Sequence, residues 1–246
     1  MTDDGDHLNR GFHLGFGVVL AVAMWAFALI AQDVLAGGQL AALDAAFAQA
    51  ARADTTLWRS IYWYSTWLGS GYVVVPVVLV IAMFLFRRGQ RLLAIIWYAS
   101  QAGAWWLDAV LKEVFVRPRP DGWDPLLAAN DRSFPSGHAM GCFTFAGVAT
   151  FMLLRLVPPS RMRTLLIVAM LAWSAAMGFS RAYLGVHYAS DVIGGFVAGI
   201  GWVAVCVSVV EAVSQKSRVK SQKYKVRSSV VRGSEVRGSD VQGSGV

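Results

Sequence analysis

Six apolar runs dominate this chain and restrict its fold more than any other feature. They cover roughly residues 11–32, 61–86, 92–111, 137–154, 164–179 and 192–213. A helix needs about 20 residues to cross a bilayer, within a range of about 17–25. The fifth run is short and must borrow Ser180 and Arg181 or begin earlier. Backbone amides cannot stay unpaired in hydrocarbon, so such runs are helical. The expected fold class is all-α: a polytopic membrane protein with six transmembrane helices in one bundle. Composition agrees, with 56% hydrophobic and only 15% charged residues, where soluble domains carry about 25% charged.

The first run does not read as a signal peptide. Asp3, Asp4 and Asp6 precede it with Arg10 as the one cation, and the apolar stretch is too long. Three parts are expected: a cytoplasmic segment 1–10, a six-helix membrane domain 11–213 and a tail 214–246. The tail carries eight Lys or Arg against two acids and so holds most of the net charge of +7. It is rich in Ser and Gly and repeats Val-Arg-Gly-Ser at 231–234 and 236–239. That composition predicts disorder. A basic stretch after a membrane helix fixes orientation or touches anionic headgroups. It is no nucleic-acid face, so no nucleic acid partner is expected. Cys142 and Cys206 lie inside apolar runs without metal-ligand spacing and read as packing residues.

Loop charge sets the topology. Arg87, Arg88 and Arg91 separate runs two and three, Arg155, Arg161 and Arg163 lie around the junction of runs four and five, and the basic tail follows run six. These regions are expected in the cytoplasm, with both termini. Loops 35–60, 112–136 and 180–191 then face outward. In the first of these, Leu40, Leu43 and Phe47 suit either an amphipathic interfacial helix or a plain connector.

Three polar groups fall on that outer side. Lys112 and Arg119 flank the end of run three; alone, such cations read better as residues snorkelling to headgroups than as an anion site. Pro135-Ser136-Gly137-His138 opens run four. Ser136 suits an N-cap, and the free amides from Gly137 onward would favour an anion. His138 beside them could move a proton or simply sit at the interface, and the two readings balance. Ser180-Arg181, His187 and Asp191 form the third group. Four residues apart, His187 and Asp191 share a helix face, so the carboxylate can orient the imidazole. Packing explains that pair poorly, and a catalytic role is favoured. Asp108, one turn before Lys112, pairs with it or compensates its charge. Arg117 reads better as a solvated loop cation than as a contact for a second phosphate.

Lys-x6-Arg-Pro, Pro-Ser-Gly-His and Ser-Arg-x5-His-x3-Asp, in this order, resemble the signature of the type-2 phosphatidic acid phosphatase superfamily, which includes lipid phosphate phosphatases and is related to vanadium haloperoxidases. All the signature positions match. The resemblance, over about residues 40–213, implies a lipid phosphatase of the inner (plasma) membrane with its site on the outer face. His187 would attack phosphorus, Asp191 would orient it, and His138 would protonate the leaving oxygen and then activate water. Lys112, Arg119, Arg181, Ser136 and the Gly137 amide would hold the phosphate. The family needs no metal and no cofactor. Asp121, Asp124 and Asp131 are spread along a loop with Arg132 and do not look like a magnesium site.

Substrates of this class include undecaprenyl diphosphate, phosphatidylglycerophosphate, phosphatidic acid and diacylglycerol diphosphate. A phosphotransferase passing the same phosphohistidine to an acceptor lipid is the alternative. A six-helix transporter is more remote, because it calls for ionisable residues at mid-membrane. Gly137-x3-Gly141 and Gly195-x3-Gly199 are expected to bring runs four and six together; a dimer through these glycines has no separate support, and the oligomeric state stays open.

Overall fold

The computed structural model describes residues 3–53, 57–121, 125–127 and 131–241, with side chains for 14–51, 57–121, 126–127 and 131–217. Asp124 and the side chains of segment 1–10 lie outside these. Every element among the described residues is helical. In chain order they are α1 (Asp3–Ala36), α2 (Gln39–Ala53), α3 (Leu57–Ser65), a 3-10 turn (Thr66–Gly69), α4 (Gly71–Arg87), α5 (Arg91–Phe115), a short 3-10 turn (Pro125–Leu127), α6 (Gly137–Leu156), α7 (Arg161–Tyr183) and α8 (Ala189–Val241).

Five segments are long and apolar enough to cross a membrane: Leu14–Ala36, Leu57–Arg87, Gly137–Leu156, Arg161–Tyr183 and Ala189–Ser217. The expected count of six is one too many by this measure. The segment that falls short is α5, not the short fifth run. Its 25 residues would span about 37 Å at ~1.5 Å each, so length is not the reason. Ser100, Gln101, Asp108 and Lys112 lower its hydropathy, and Ser100, Gln101 and Lys112 are buried. Helix α5 packs against α4 and α6, so its polar side chains meet protein rather than lipid. Trp97 donates to the Val78 carbonyl at 3.0 Å, and Trp202 donates to the Ser100 carbonyl at 2.8 Å. Elsewhere large apolar side chains such as Leu165, Val168 and Met24 face outward, as lipid-facing positions do. The chain is a multi-pass membrane protein.

The second run is interrupted. Gly69-Ser70-Gly71 lets the backbone extend at Ser70 (ψ 157°) between the 3-10 turn and α4, and the turn buries Thr66. The loop between the first two runs carries the helix α2. The Asp33 carboxylate accepts hydrogen bonds from the Gln39 and Leu40 amides at 3.0 and 2.8 Å, satisfying the free donors of its first turn. Its inward face carries Leu40, Asp44, Phe47 and Ala51, at i, i+4, i+7 and i+11, while Leu43 points outward. A carboxylate thus sits in the middle of the buried stripe.

The glycine expectation is half corrected. Gly195 and Gly199 do meet α6: an added Cβ would lie 2.5 Å from the Ser136 carbonyl oxygen and 3.2 Å from that of Met140. Gly137 and Gly141 instead face α5, where Asp108 and Trp105 are their nearest neighbours. On a helix, positions four apart share a face, but spacing does not say which neighbour that face meets.

The chain divides into two compact units, 1–207 and 208–246. The structure draws α8 as one helix to Val241, through the tail whose composition predicts disorder. No proline interrupts that stretch.

Candidate active site

The start of α4, the end of α5, the start of α6, the end of α7 and the loop before α8 meet around a cavity of about 350 Å³. The arginines 87, 88, 91, 155, 161 and 163 lie at the opposite helix termini. Six of the eight expected site residues line the cavity: Lys112, Arg119, Gly137, His138, Arg181 and His187. Ser136 and Asp191 are fully buried beside it.

Each side chain is placed by local structure. Lys112, in the last turn of α5, bonds Asp108 Oδ2 at 2.6 Å. The pairing is therefore a formed contact, and Asp108 also lines the cavity. After α5 the backbone turns at Val116, whose φ of 40° is left-handed, an uncommon conformation for a β-branched residue. The turn sends 117–119 back beside 131–133, where Ser133 N–H bonds Arg117 O at 2.8 Å and Arg119 N–H bonds Asp131 O at 3.2 Å. Ser136 caps α6, its Oγ accepting from the Ala139 amide at 3.5 Å. The Ser136 amide bonds the Asp191 carbonyl at 3.0 Å, which joins the α6 and α8 starts. Gly137 is required to be small: a Cβ would lie 2.7 Å from Asp108 Oδ2.

Arg181 is 2% exposed. Its Nη1 donates to Thr66 Oγ1 at 3.1 Å and its Nη2 to the Leu127 carbonyl. Both acceptors lie in short 3-10 turns, Thr66–Gly69 and Pro125–Leu127.

The geometry at His187 fixes its tautomer. Arg119 Nη1 donates to the Val186 carbonyl at 2.7 Å and lies 3.1 Å from His187 Nε2. A guanidinium only donates, so Nε2 accepts and the ring proton sits on Nδ1. That nitrogen lies 3.5 Å from Asp191 Oδ2. The distance exceeds that of a formed hydrogen bond, and among the described residues Nδ1 has no hydrogen-bond partner. Burial, then the charges of Arg119, Arg181 and Lys112, hold the imidazole well below its usual pKa. His187 is thus neutral at pH 7, with the Nε2 lone pair held by the Arg119 guanidinium until substrate displaces that contact.

Asp191 is pinned at both oxygens. Oδ2 accepts the Tyr188 amide at 2.8 Å, and Oδ1 accepts Arg117 Nη1 at 2.5 Å. The sequence reading of Arg117 is corrected here. Its side chain, 15% exposed, is no solvated loop cation and does not line the cavity. It bonds Asp191, Ser190 and Asp44, because the turn at Val116 aims it behind His187. Asp44 and Thr66 were missed altogether. The signal for Asp44 was a carboxylate on the apolar stripe of α2; nothing local marked Thr66. Among the described residues no group of three or more His, Cys, Asp or Glu could hold a metal.

Comparison with known proteins is consistent in sequence and structure. A family model described as PAP2 superfamily matches residues 92–215. Phosphatidylglycerophosphatase B of Bacillus subtilis is 30% identical over 184 residues, covering 73% of this chain and 89% of the relative. The putative undecaprenyl-diphosphatase YbjG of Escherichia coli is 34% identical over 131 residues, covering 52% and 62%. The crystal structure of a transmembrane PAP2 type phosphatidylglycerolphosphate phosphatase from Bacillus subtilis superposes with a TM-score of 0.69 at 26% identity, covering 80% of this chain and 96% of that one. That of Aquifex aeolicus LpxE gives 0.50 at 27% identity, covering 65% and 92%. The order of the three motifs, their convergence on one cavity and these matches lead to one assignment: the chain belongs to the PAP2 superfamily.

Proposed function

We propose that this membrane phosphatase hydrolyses lipid mono- or diphosphates, of the phosphatidylglycerophosphate, undecaprenyl diphosphate and phosphatidic acid class, through a phosphohistidine on His187. The observation that carries the reading is the buried His187 on the cavity wall, its Nε2 3.1 Å from Arg119 and its Nδ1 facing Asp191.

In the first step Nε2 forms a bond to phosphorus as the bond to the leaving oxygen breaks, and His138 gives that oxygen a proton. In the second step His138 takes a proton from water, whose oxygen attacks phosphorus and releases Nε2 with inorganic phosphate. Charge spreads over the equatorial oxygens during both transfers, so positioning and fixed charge do most of the work. Lys112, Arg119 and Arg181 supply that charge, and the Gly137 amide adds a donor. The Nδ1 proton turns toward Asp191 as the ring gains positive character, and the 3.5 Å gap closes at that moment. Val74, Trp105 and Cys142 give the same cavity an apolar wall, which suits a ligand that is part phosphate and part hydrocarbon.

In this reading the membrane domain is residues 11–213, α5 crosses as a sixth helix shielded by its neighbours beside the five apolar spans, and the positive loops support a site on the outer face with both termini in the cytoplasm. Purified protein is assayed for phosphate release from a panel of lipid phosphates in EDTA, beside His187→Ala. Release that persists in EDTA and is lost in the variant is expected. Release unchanged by the substitution refutes the reading; release appearing only as transfer to an added acceptor lipid replaces hydrolysis by phosphotransfer.

A further inference from the structure

We infer that Arg117 and Asp44 are positioning residues that hold the Asp191 carboxylate in line with His187, tying the nucleophile to the outer helix α2. The inference rests on the proposed role of His187 as nucleophile.

One planar guanidinium serves two buried carboxylates from different elements. Nη1 bonds Asp191 Oδ1 at 2.5 Å and Ser190 Oγ at 2.8 Å, while Nη2 bonds Asp44 Oδ2 at 2.8 Å. The guanidinium also lies 4.0 Å over the Tyr188 ring. Asp44, whose side chain is 3% exposed, closes the network from α2. Its Oδ1 accepts the Ser190 amide at 2.8 Å and its Oδ2 the Ser190 hydroxyl at 2.6 Å. The first turn of α8 is therefore held from a separate helix, at the residue next to Asp191.

Two consequences follow for His187. The first is geometric. With Oδ1 held by Arg117 and Oδ2 held by the Tyr188 amide, the carboxylate cannot rotate, and Oδ2 keeps facing Nδ1. The planar fork sets its two Nη atoms on separate carboxylates, a spacing that the single ammonium of lysine does not reproduce. The second is electrostatic. Two carboxylates against one guanidinium leave one net negative charge behind the imidazole, which favours the positive character the ring acquires when Nε2 bonds phosphorus. Asp44 supplies that surplus. Arg117 does not line the phosphate cavity, so it acts through Asp191 and not on substrate.

The test measures steady-state kinetics of the full chain in detergent with the fastest lipid phosphate. Arg117→Lys and Asp44→Asn are each made in the wild-type and in the Asp191→Asn background. Elution volume and thermal unfolding verify folding, and Arg117→Lys, which keeps the charge, carries the test should Asp44→Asn fail to fold. In the wild-type background kcat is expected to fall 10- to 100-fold with KM unchanged within twofold, the scale at which misplacement of about 1 Å acts. In the Asp191→Asn background neither substitution costs more, because the group they position is gone. Unchanged kcat, a rise in KM with kcat retained, or an equal further loss in the Asp191→Asn background overturns the inference. Wild-type protein without turnover on any lipid phosphate overturns the proposed function with it, whereas an active wild type with insensitive variants overturns this inference alone.

Discussion

Gly195→Ala and Gly141→Ala are the same substitution in two stripes of the same pattern, and the structure gives them opposite signs. At Gly195 the new methyl carbon would lie 2.5 Å from the Ser136 carbonyl oxygen, 3.0 Å from Ala139 Cβ and 3.3 Å from the Met140 amide nitrogen. Two of these are backbone atoms of the first turn of α6 and cannot swing aside, so α8 must retreat by several tenths of an ångström. Overpacking of this kind costs about 1–3 kcal/mol, and removing a helical glycine returns roughly 0.5–1 kcal/mol. A net loss of about 1–2 kcal/mol is expected at Gly195. At Gly141 the nearest atom is Trp105 Nε1 at 3.5 Å, an ordinary contact, so only the gain of roughly 0.5–1 kcal/mol remains. In chains of this size 1 kcal/mol moves Tm by about 2–4 °C. Thermal unfolding in detergent should show Gly195→Ala lower by several degrees and Gly141→Ala level or higher. The retreat at Gly195 also strains the bond from the Ser136 amide to the Asp191 carbonyl, so kcat should fall as well, by about tenfold or more. Equal stability of the two variants would refute the assignment of the glycine faces.

Two further outcomes follow. Thr66→Val removes the hydroxyl that accepts from Arg181 Nη1 at 3.1 Å; an unpaired buried donor costs about 1–3 kcal/mol, so kcat/KM should drop roughly 10-fold or more, and an unchanged value would detach Thr66 from the phosphate site. His187, held below 6.5 by burial and by Arg119, Arg181 and Lys112, should stay neutral through pH 6.5 in an NMR titration of labelled histidine in the ligand-free protein. The lowered pKa means protonation sets in only as pH falls well below 6.5, and a midpoint at or above that value would contradict the site's electrostatics.

Much of this molecule was legible in the sequence, for physical reasons that differ by residue. Lys112, Arg119, His138, Arg181 and His187 stand at ends of apolar runs, where ionisable groups are costly and therefore noticeable. Alternating helix direction then puts them at one end of the bundle. The Ser136 cap follows from local chemistry, since serine before an apolar run satisfies free amides. Arg117 was misread because two arginines in Arg-Pro-Arg-Pro look alike in sequence, and only the left-handed turn at Val116 decides which one enters the cavity. Asp44 belongs to a contact 146 residues long in sequence, beyond any local pattern. Run three was expected to span like the others, yet Ser100, Gln101, Asp108 and Lys112 lower its hydropathy, and Ser100, Gln101 and Lys112 are buried against protein while Ile95 and Trp106 on the same helix face outward. The glycine stripes were visible as stripes, but the neighbour of each depended on how the helices are rotated.

The central claim is that His187 carries the phosphoryl group. Rapid quench of a turnover with labelled lipid phosphate, followed by peptide mapping, tests it directly. The account predicts an acid-labile, base-stable phosphoryl group on His187 in the wild type, absent in His187→Ala and formed and lost more slowly in His138→Ala, where both steps lack their proton carrier. Turnover with no phosphoprotein at any time point in either wild type or His138→Ala, or with the label on another residue, would contradict it.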